Sequence, residues 1–269
     1  MRLPVSTMTG SKKNISLLLN SGQHFADRDC KAIGKMKKNL TSPYFEPRER
    51  RRTLIRRVFN PWWIYLLARK TCPLSYNYGI NRGVPIDRYY IEKFLEEHRS
   101  TITGHCLEIG DDKYIRTFGT PAKIDILDYN LKNKKANIYA DLRNMPQIPE
   151  NIYDCIILTQ VLQFIDDYES AIKECYRILK PHGAVLATMP FNSRTDVGVG
   201  IAGDYWRFTK ASAEYVFKKY FDSVSVKSMG NVLSGLGFWV GMALEEFPVR
   251  KLDMVSDEFP LLITVKAVK

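Results

Sequence analysis

This 269-residue sequence predicts a doubly wound α/β fold with a mostly parallel sheet, preceded by a basic extension. Three observations carry that expectation. From residue 85 onward, short apolar runs alternate with segments whose apolar residues recur at helical spacing, the pattern of strands joined by covering helices. Several of those runs end in a glycine or an acid, the residue types that open a strand into a ligand-binding turn. Charge is also partitioned along the chain. Residues 1–70 carry 16 Lys and Arg against 4 Asp and Glu, whereas the other 199 carry 24 against 25.

The expected division is a basic extension over 1–75 and one α/β domain over 76–269. Residues 1–45 are polar and basic with a single apolar patch, SLLL, so little order is expected there. EPRERRRTLIRR, residues 46–57, reads as a solvated basic helix or tether. NPWWIYLLARK offers Asn60 as a cap and Pro61 at the first helical position, with an aromatic face suited to packing on the body or lying in a membrane interface.

In the domain, PIDRYYIEKFLEEH is a helix that Pro85 starts and that buries Tyr90, Ile91, Phe94 and Leu95. HCLEIG (105–110), KIDILD (123–128) and NIYADL (137–142) read as three strands, and YDCIILTQ (153–160) as a fourth. DDYESAIKECYRILK is a helix that Asp166 and Asp167 favour at its start and that Ala171, Ile172, Cys175, Ile178 and Leu179 bury. PHG turns into AVLATMP, the fifth strand. Thr209 caps a helix running to Phe221, and VSVKSM and LLITVKAV complete seven strands.

No apolar stretch approaches the roughly 20 residues of a membrane span, and the first residues lack the apolar core of a secretory signal, so the expected location is cytoplasmic. Five cysteines include no C-x-x-C pair, and Cys106 and Cys155 fall inside apolar runs, so reduced thiols are expected. The four histidines form no metal-like pair, so no metal is expected. A near-neutral body excludes a basic nucleic-acid track and makes nucleic acid an unlikely partner. The extension is instead expected to meet an anionic membrane or partner.

The strand ends suggest the chemistry. Gly110 lets the backbone approach a ligand closely, but the other glycines of a dinucleotide turn are missing, and Asp111 and Asp112 repel a pyrophosphate. S-adenosylmethionine has no phosphate and carries a sulfonium and an ammonium, which carboxylates favour. Asp128 ends the second strand where an acid accepts ribose hydroxyls. Asp141 and Leu142 follow the third, suited to an adenine amine and ring, and Thr159 and Gln160 end the fourth beside the reacting group.

The run LEIG, ILD, ADL, YDCIILTQVLQFIDD and ILKPHGAVLATMP resembles the class I S-adenosylmethionine-dependent methyltransferases over about residues 85–269. RGVPIDRYYIEKFL, LEIGDDKYIRTFG and DYWRFT are similar to a bacterial subgroup of methyltransferase-domain proteins, some associated with glycosyltransferases. The resemblance implies a seven-stranded Rossmann-like sheet and S-adenosyl-L-methionine as cofactor. It places Glu108 and Gly110 at the methionine part, Asp128 at the ribose, Asp141 and Leu142 at adenine, and Thr159 with Gln160 on the transfer side. Two positions depart from the family pattern. His182 replaces a glycine in a turn where the change is expected to cost little, and Phe164 stands where many small-molecule members carry a histidine base.

Candidate acceptor-side residues are Asp204, Tyr205 and Arg207, in a stretch where Trp206 and Phe208 otherwise plug the core and Arg207 pairs with an acid. Gln163 is another, against the alternative of a surface helical residue. Asp87 reads first as a dipole-favoured residue of a helix start, with Arg88 or Tyr89 as lid candidates. NSRTDVGVGIAG (192–203) is expected to be a loop over the acceptor site. The functional expectation is O-methylation of a sugar, a glycan intermediate or another small molecule. The alternatives are a catalytically silent binding module of the same fold and an RNA methyltransferase.

Overall fold

The computed structural model describes residues 71–196, 198 and 203–269. The expectations for the extension and for the centre of the NSRTDVGVGIAG loop therefore lie outside the described residues. Lys70–Lys269 form one compact unit.

Seven strands, β1 (Thr103–Ile109), β2 (Thr120–Asp128), β3 (Ile138–Tyr139), β4 (Tyr153–Thr159), β5 (Leu179–Pro190), β6 (Ser223–Met229) and β7 (Leu262–Val268), form one sheet in the order β3-β2-β1-β4-β5-β7-β6. All pairings are parallel except those of β7, which runs antiparallel to β5 and β6. Chain order reverses between β1 and β4, which creates a crevice at their carboxyl ends, where open α/β sheets bind ligands.

The central strands are buried on both faces because apolar residues occupy both alternations. Leu107, Ile156, Leu158, Val185 and Ala187 face one core cluster, and Cys106, Cys155, Ile157 and Leu186 face the other. The first cluster lies under α3 (Tyr168–Ile178) and α4 (Lys210–Phe217). The second lies under α1 (Ile86–Glu97), α2 (Lys113–Phe118), α5 (Val232–Val240) and α6 (Val249–Leu252).

In α1, Tyr90, Ile91, Phe94 and Leu95 are all buried, as the spacing predicts. Asp167 caps α3, accepting from the Ser170 amide at 3.1 Å, while Asp166 instead pairs with Arg143. Thr209 and Ser212 form a reciprocal capping box on α4.

Other expectations need correction. NIYADL yields a strand of only two residues, because the chain leaves the sheet at Ala140 and closes a short bridge between Asp141 and Asn144. The predicted helix to Phe221 ends at Phe217, although Phe221 is still buried by the turns that follow. His182 stands at φ 66°, in the left-handed region, so the position favours glycine, and histidine there carries a steric cost.

Candidate active site

Gly110 ends β1 with φ 83°, and its amide donates to the Leu127 carbonyl at 2.9 Å. A Cβ built on it would meet nothing within 4 Å, so the positive φ selects glycine and the space over the turn is open. Glu108, 1% exposed, turns beneath this loop and accepts from the Tyr114 amide at 3.2 Å and the Ile115 amide at 2.9 Å. Burial pushes its carboxyl up to about 7, although those amides oppose the shift. The amides at the start of α2 are thus already held by a carboxylate of the chain itself, which disfavours a pyrophosphate there. Glu108 supports the turn from below instead of reaching into the cleft. Asp111 accepts from the Lys113 amide at 3.2 Å, and Asp112 pairs with Arg116.

Asp128, at the tip of β2, accepts from the Asn130 amide at 2.8 Å and from Nδ2 of Asn133 at 2.7 Å. The same Asn133 nitrogen donates to the Gly110 carbonyl at 2.6 Å, so Asn133 ties the first two strand tips together. Beside Asp128, Tyr129 is 81% exposed and presents a flat apolar surface. Neither Asn133 nor Tyr129 carried a sequence signal, since both lie in a polar loop without periodicity.

Asp141 is gripped by Arg143 at 2.6 Å, which also reaches Asp166 at 2.6 Å and holds the Asp141 carboxyl below the usual range. The early end of β3 turns the Leu142 side chain inward, so that Leu142 packs in the core cluster.

Beyond β4 the chain builds a cleft of two adjoining cavities. One is lined by Asp87, Arg88 and Ile91 of α1, by Tyr114 of α2, and by Thr159 and Gln160. The other is lined by Gln163, Asn192, Asp196, Asp204 and Arg207 together with the apolar Phe164, Pro190, Phe238 and Leu261. Tyr78, Asp87 and Gln160 line both and form the waist between them. Tyr78 (φ 51°) and Gln160 (φ 55°) are left-handed non-glycine residues, a strain that proteins tend to retain at functional positions.

Gln163 lies in a 3-10 turn, Leu162–Phe164, and is buried, which corrects the surface alternative. Its Nε2 donates to the Gln160 carbonyl at 2.9 Å, and its carbonyl accepts from the Tyr205 amide at 2.9 Å. Among the described residues, Oε1 of Gln163 and Oδ1 of Asp87 are enclosed without a hydrogen-bond partner. Arg207 clamps Asp204 through 2.6 and 2.8 Å bonds and donates to the Arg194 carbonyl at 2.8 Å, so the acid pairing of Arg207 is realised within the cleft wall. Asp204 also accepts from the Asp196 amide at 2.8 Å, and the Arg194 guanidinium lies 3.9 Å over the Tyr78 ring.

Two further placements differ from expectation. Tyr205 is half exposed and lines neither cavity, because it is displaced to the outer side of the stretch that presents Asp204 and Arg207. Trp206 does not plug the core: it stacks edge-on against Tyr168 and donates to the Ile165 carbonyl at 2.9 Å, while Phe208 is the buried residue. Tyr89 donates to Asp253 at 2.6 Å and does not line the cleft, whereas Arg88 does. The cleft therefore gathers Thr159, Gln160, Gln163, Asp204 and Arg207, adds Asp87 and Tyr78, and leaves Asp141, Leu142 and Tyr205 aside. Among the described residues, no group of three His, Cys, Asp or Glu is arranged to hold a metal.

The family model described as "Methyltransferase domain" matches residues 112–187. The ubiquinone/menaquinone biosynthesis C-methyltransferase of Haemophilus ducreyi is 29% identical over 85 residues, which is 32% of this chain and 28% of that protein. The match thus spans little more than a quarter of that relative's length. Solved structures that align with part of the chain include a SAM-dependent methyltransferase from Archaeoglobus fulgidus, at 13% identity and TM-score 0.46 over 68% of this chain and 94% of that one. Another is an S-adenosylmethionine-dependent methyltransferase from Mesorhizobium loti, at 12% identity and TM-score 0.48 over 68% of this chain and 100% of that one.

Proposed function

We propose that this chain, whose residues 112–187 match the methyltransferase-domain model, transfers a methyl group from S-adenosylmethionine to a hydroxyl of a small polar acceptor, a sugar or glycan intermediate. The observation that carries this reading is the waisted cleft. One half adjoins the tip of β4, and the other sets amide, hydroxyl, carboxylate and guanidinium groups beside the apolar Phe164, Pro190, Phe238 and Leu261, a mixture that offers partners for hydroxyls and an apolar face for a ring.

The open cradle over Gly110 and the carboxylates around the strand tips suit a cationic, phosphate-free donor. Gly110 and Asp128 would hold its ribose side, Tyr129 its adenine face, and Thr159 with Gln160 the end next to the waist. The donor supplies an already activated methyl group. What remains for the protein is to orient the acceptor, exclude water and accept one proton, and positioning is the largest of these contributions.

Calorimetry with S-adenosylmethionine tests the donor half, and Asp128→Ala is expected to weaken binding about 10- to 100-fold by removing a charged acceptor. No heat of binding in the native protein would favour the silent-module reading, which has one observation behind it: Asn133 already occupies the Asp128 carboxylate. Transfer of labelled methyl to sugars, glycolipids or RNA then identifies the acceptor. The relative from Haemophilus ducreyi is named for carbon methylation of quinones, so a quinol belongs in the same panel. We also assign the charge excess of residues 1–70 to contact with an anionic surface or partner.

A further inference from the structure

We propose that Asp87 is the general base of the transfer, taking the proton of the acceptor hydroxyl at the waist of the cleft; this rests on the reading of the chain as an O-methyltransferase. Asp87 lies in the first turn of α1 and lines both cavities, so a carboxylate stands where a donor on one side and an acceptor on the other would meet. Its Oδ1 is enclosed without a hydrogen-bond partner among the described residues. An enclosed, unpartnered carboxylate oxygen costs free energy and is retained where it has a task.

Burial pushes the Asp87 carboxyl up to about 6, against the opposing influence of nearby backbone amides and of Arg88. That value suits a base working near neutral pH better than an ordinary aspartate would. The charged and titratable groups facing it are Arg88 on its own helix, Tyr114 on α2 and Tyr78 from the preceding segment, with Asp196, Asp204 and Arg207 on the far wall. Burial raises both tyrosines to about 12, so they stay neutral and do not compete as bases. Asp204 is held below the usual carboxylate range by Arg207, which makes it a weaker base than Asp87.

The step balances as follows. The acceptor O–H bond breaks with its proton going to Asp87, and the oxygen forms a bond to the donor's methyl carbon. The carbon–sulfur bond breaks with its electron pair remaining on sulfur, and the proton later leaves Asp87 for solvent. Below pH 6 the carboxyl is protonated and the rate falls tenfold per pH unit.

The test uses the full chain with S-adenosylmethionine and, as acceptor, whichever member of the sugar panel takes up label. Asp87→Asn should lower kcat by about 10²- to 10³-fold, leave the donor dissociation constant within about threefold, and abolish the acid limb of the pH profile. Asp87→Glu should restore part of the rate. A second readout needs no acceptor: carbon-13 titration of carboxyl groups with S-adenosylhomocysteine bound should show one resonance titrating near 6 that disappears in Asp87→Asn. Three results would overturn the proposal: full activity in Asp87→Asn, a carboxyl titrating near 4, or a loss confined to donor affinity, which would make Asp87 a counter-charge to the sulfonium. Failure of the native protein to bind S-adenosylmethionine would instead remove the methyltransferase reading itself.

Discussion

At the scale of single residues, the buried carboxyl of Glu108 and the partly exposed Asp87, whose Oδ1 is enclosed, make stability and chemistry pull in opposite directions. Asp87 and Glu108 are raised to about 6 and about 7 because each loses hydration on folding. A carboxyl whose folded value lies above its unfolded one binds more protons in the native state between the two values. Its contribution to stability therefore falls as pH rises through that window and is level above it. The protein is expected to melt lower at pH 8 than at pH 5, as differential scanning calorimetry would show. Asp87→Asn should be more stable than the native chain at pH 8, by on the order of 2–3 kcal/mol, with no gain at pH 4. An equal gain at both pH values would mean that packing, not ionisation, sets the effect. His182→Gly should also stabilise, by about 0.5–1 kcal/mol, because φ 66° suits glycine. The chain carries an acid at position 87 in plain view, but the helix dipole alone explains an aspartate there; only the wall opposite shows that its oxygen is unpartnered.

Among the elements, α5 is a helix that the sequence reading did not mark. Its exposed face carries Val232, Leu233, Leu236 and Trp239, while its buried face is Ser234, Gly235, Gly237 and Phe238. Periodicity identifies a helix by its apolar stripe, and here the stripe faces outward while small residues let the backbone come close to the core. Asn231 starts the helix by accepting from the Leu233 and Ser234 amides, and Trp239 donates to Asn192 at the cleft, so the element helps shape the acceptor wall. A Cβ on Gly237 would lie 2.3 Å from the Phe247 ring and 3.1 Å from Ile86. Gly237→Ala should therefore cost about 1–3 kcal/mol in urea denaturation despite alanine's better helix propensity. A stabilised Gly237→Ala would show that this approach is looser than the structure has it. The helices over Tyr168–Ile178 and Ile86–Glu97 were readable because their stripes face inward and their starts carry Asp167 or Pro85.

For the whole molecule, the reversal of strand order between β1 and β4 decides where ligands bind. It brings residue 87, residues 159–163 and residues 204–207 to one crevice, although the first and last of these groups lie more than a hundred positions apart. The charge excess lies elsewhere, in residues 1–70, and among the described residues no helix is long and apolar enough to cross a membrane. Deleting residues 1–70 should abolish co-sedimentation with vesicles containing anionic phospholipid and leave S-adenosylmethionine affinity within about twofold. Binding to such vesicles that persists after the deletion, or that ignores salt, would place the contact on the body.

The α/β class, the seven strand runs and the acids and glycine at their tips follow from the sequence alone, because alternation, helical spacing and turn chemistry are local properties. The surroundings of Glu108, Asp87 and Leu142 were decided only by tertiary structure. Whether a carboxyl holds amides, as Glu108 does, or stands unpaired at a waist, as Asp87 does, depends on groups contributed by distant segments. Whether Leu142 meets a ligand or the core depends on where a two-residue strand ends. Partnership and burial are properties of the folded environment, and these three residues carry no local mark of it.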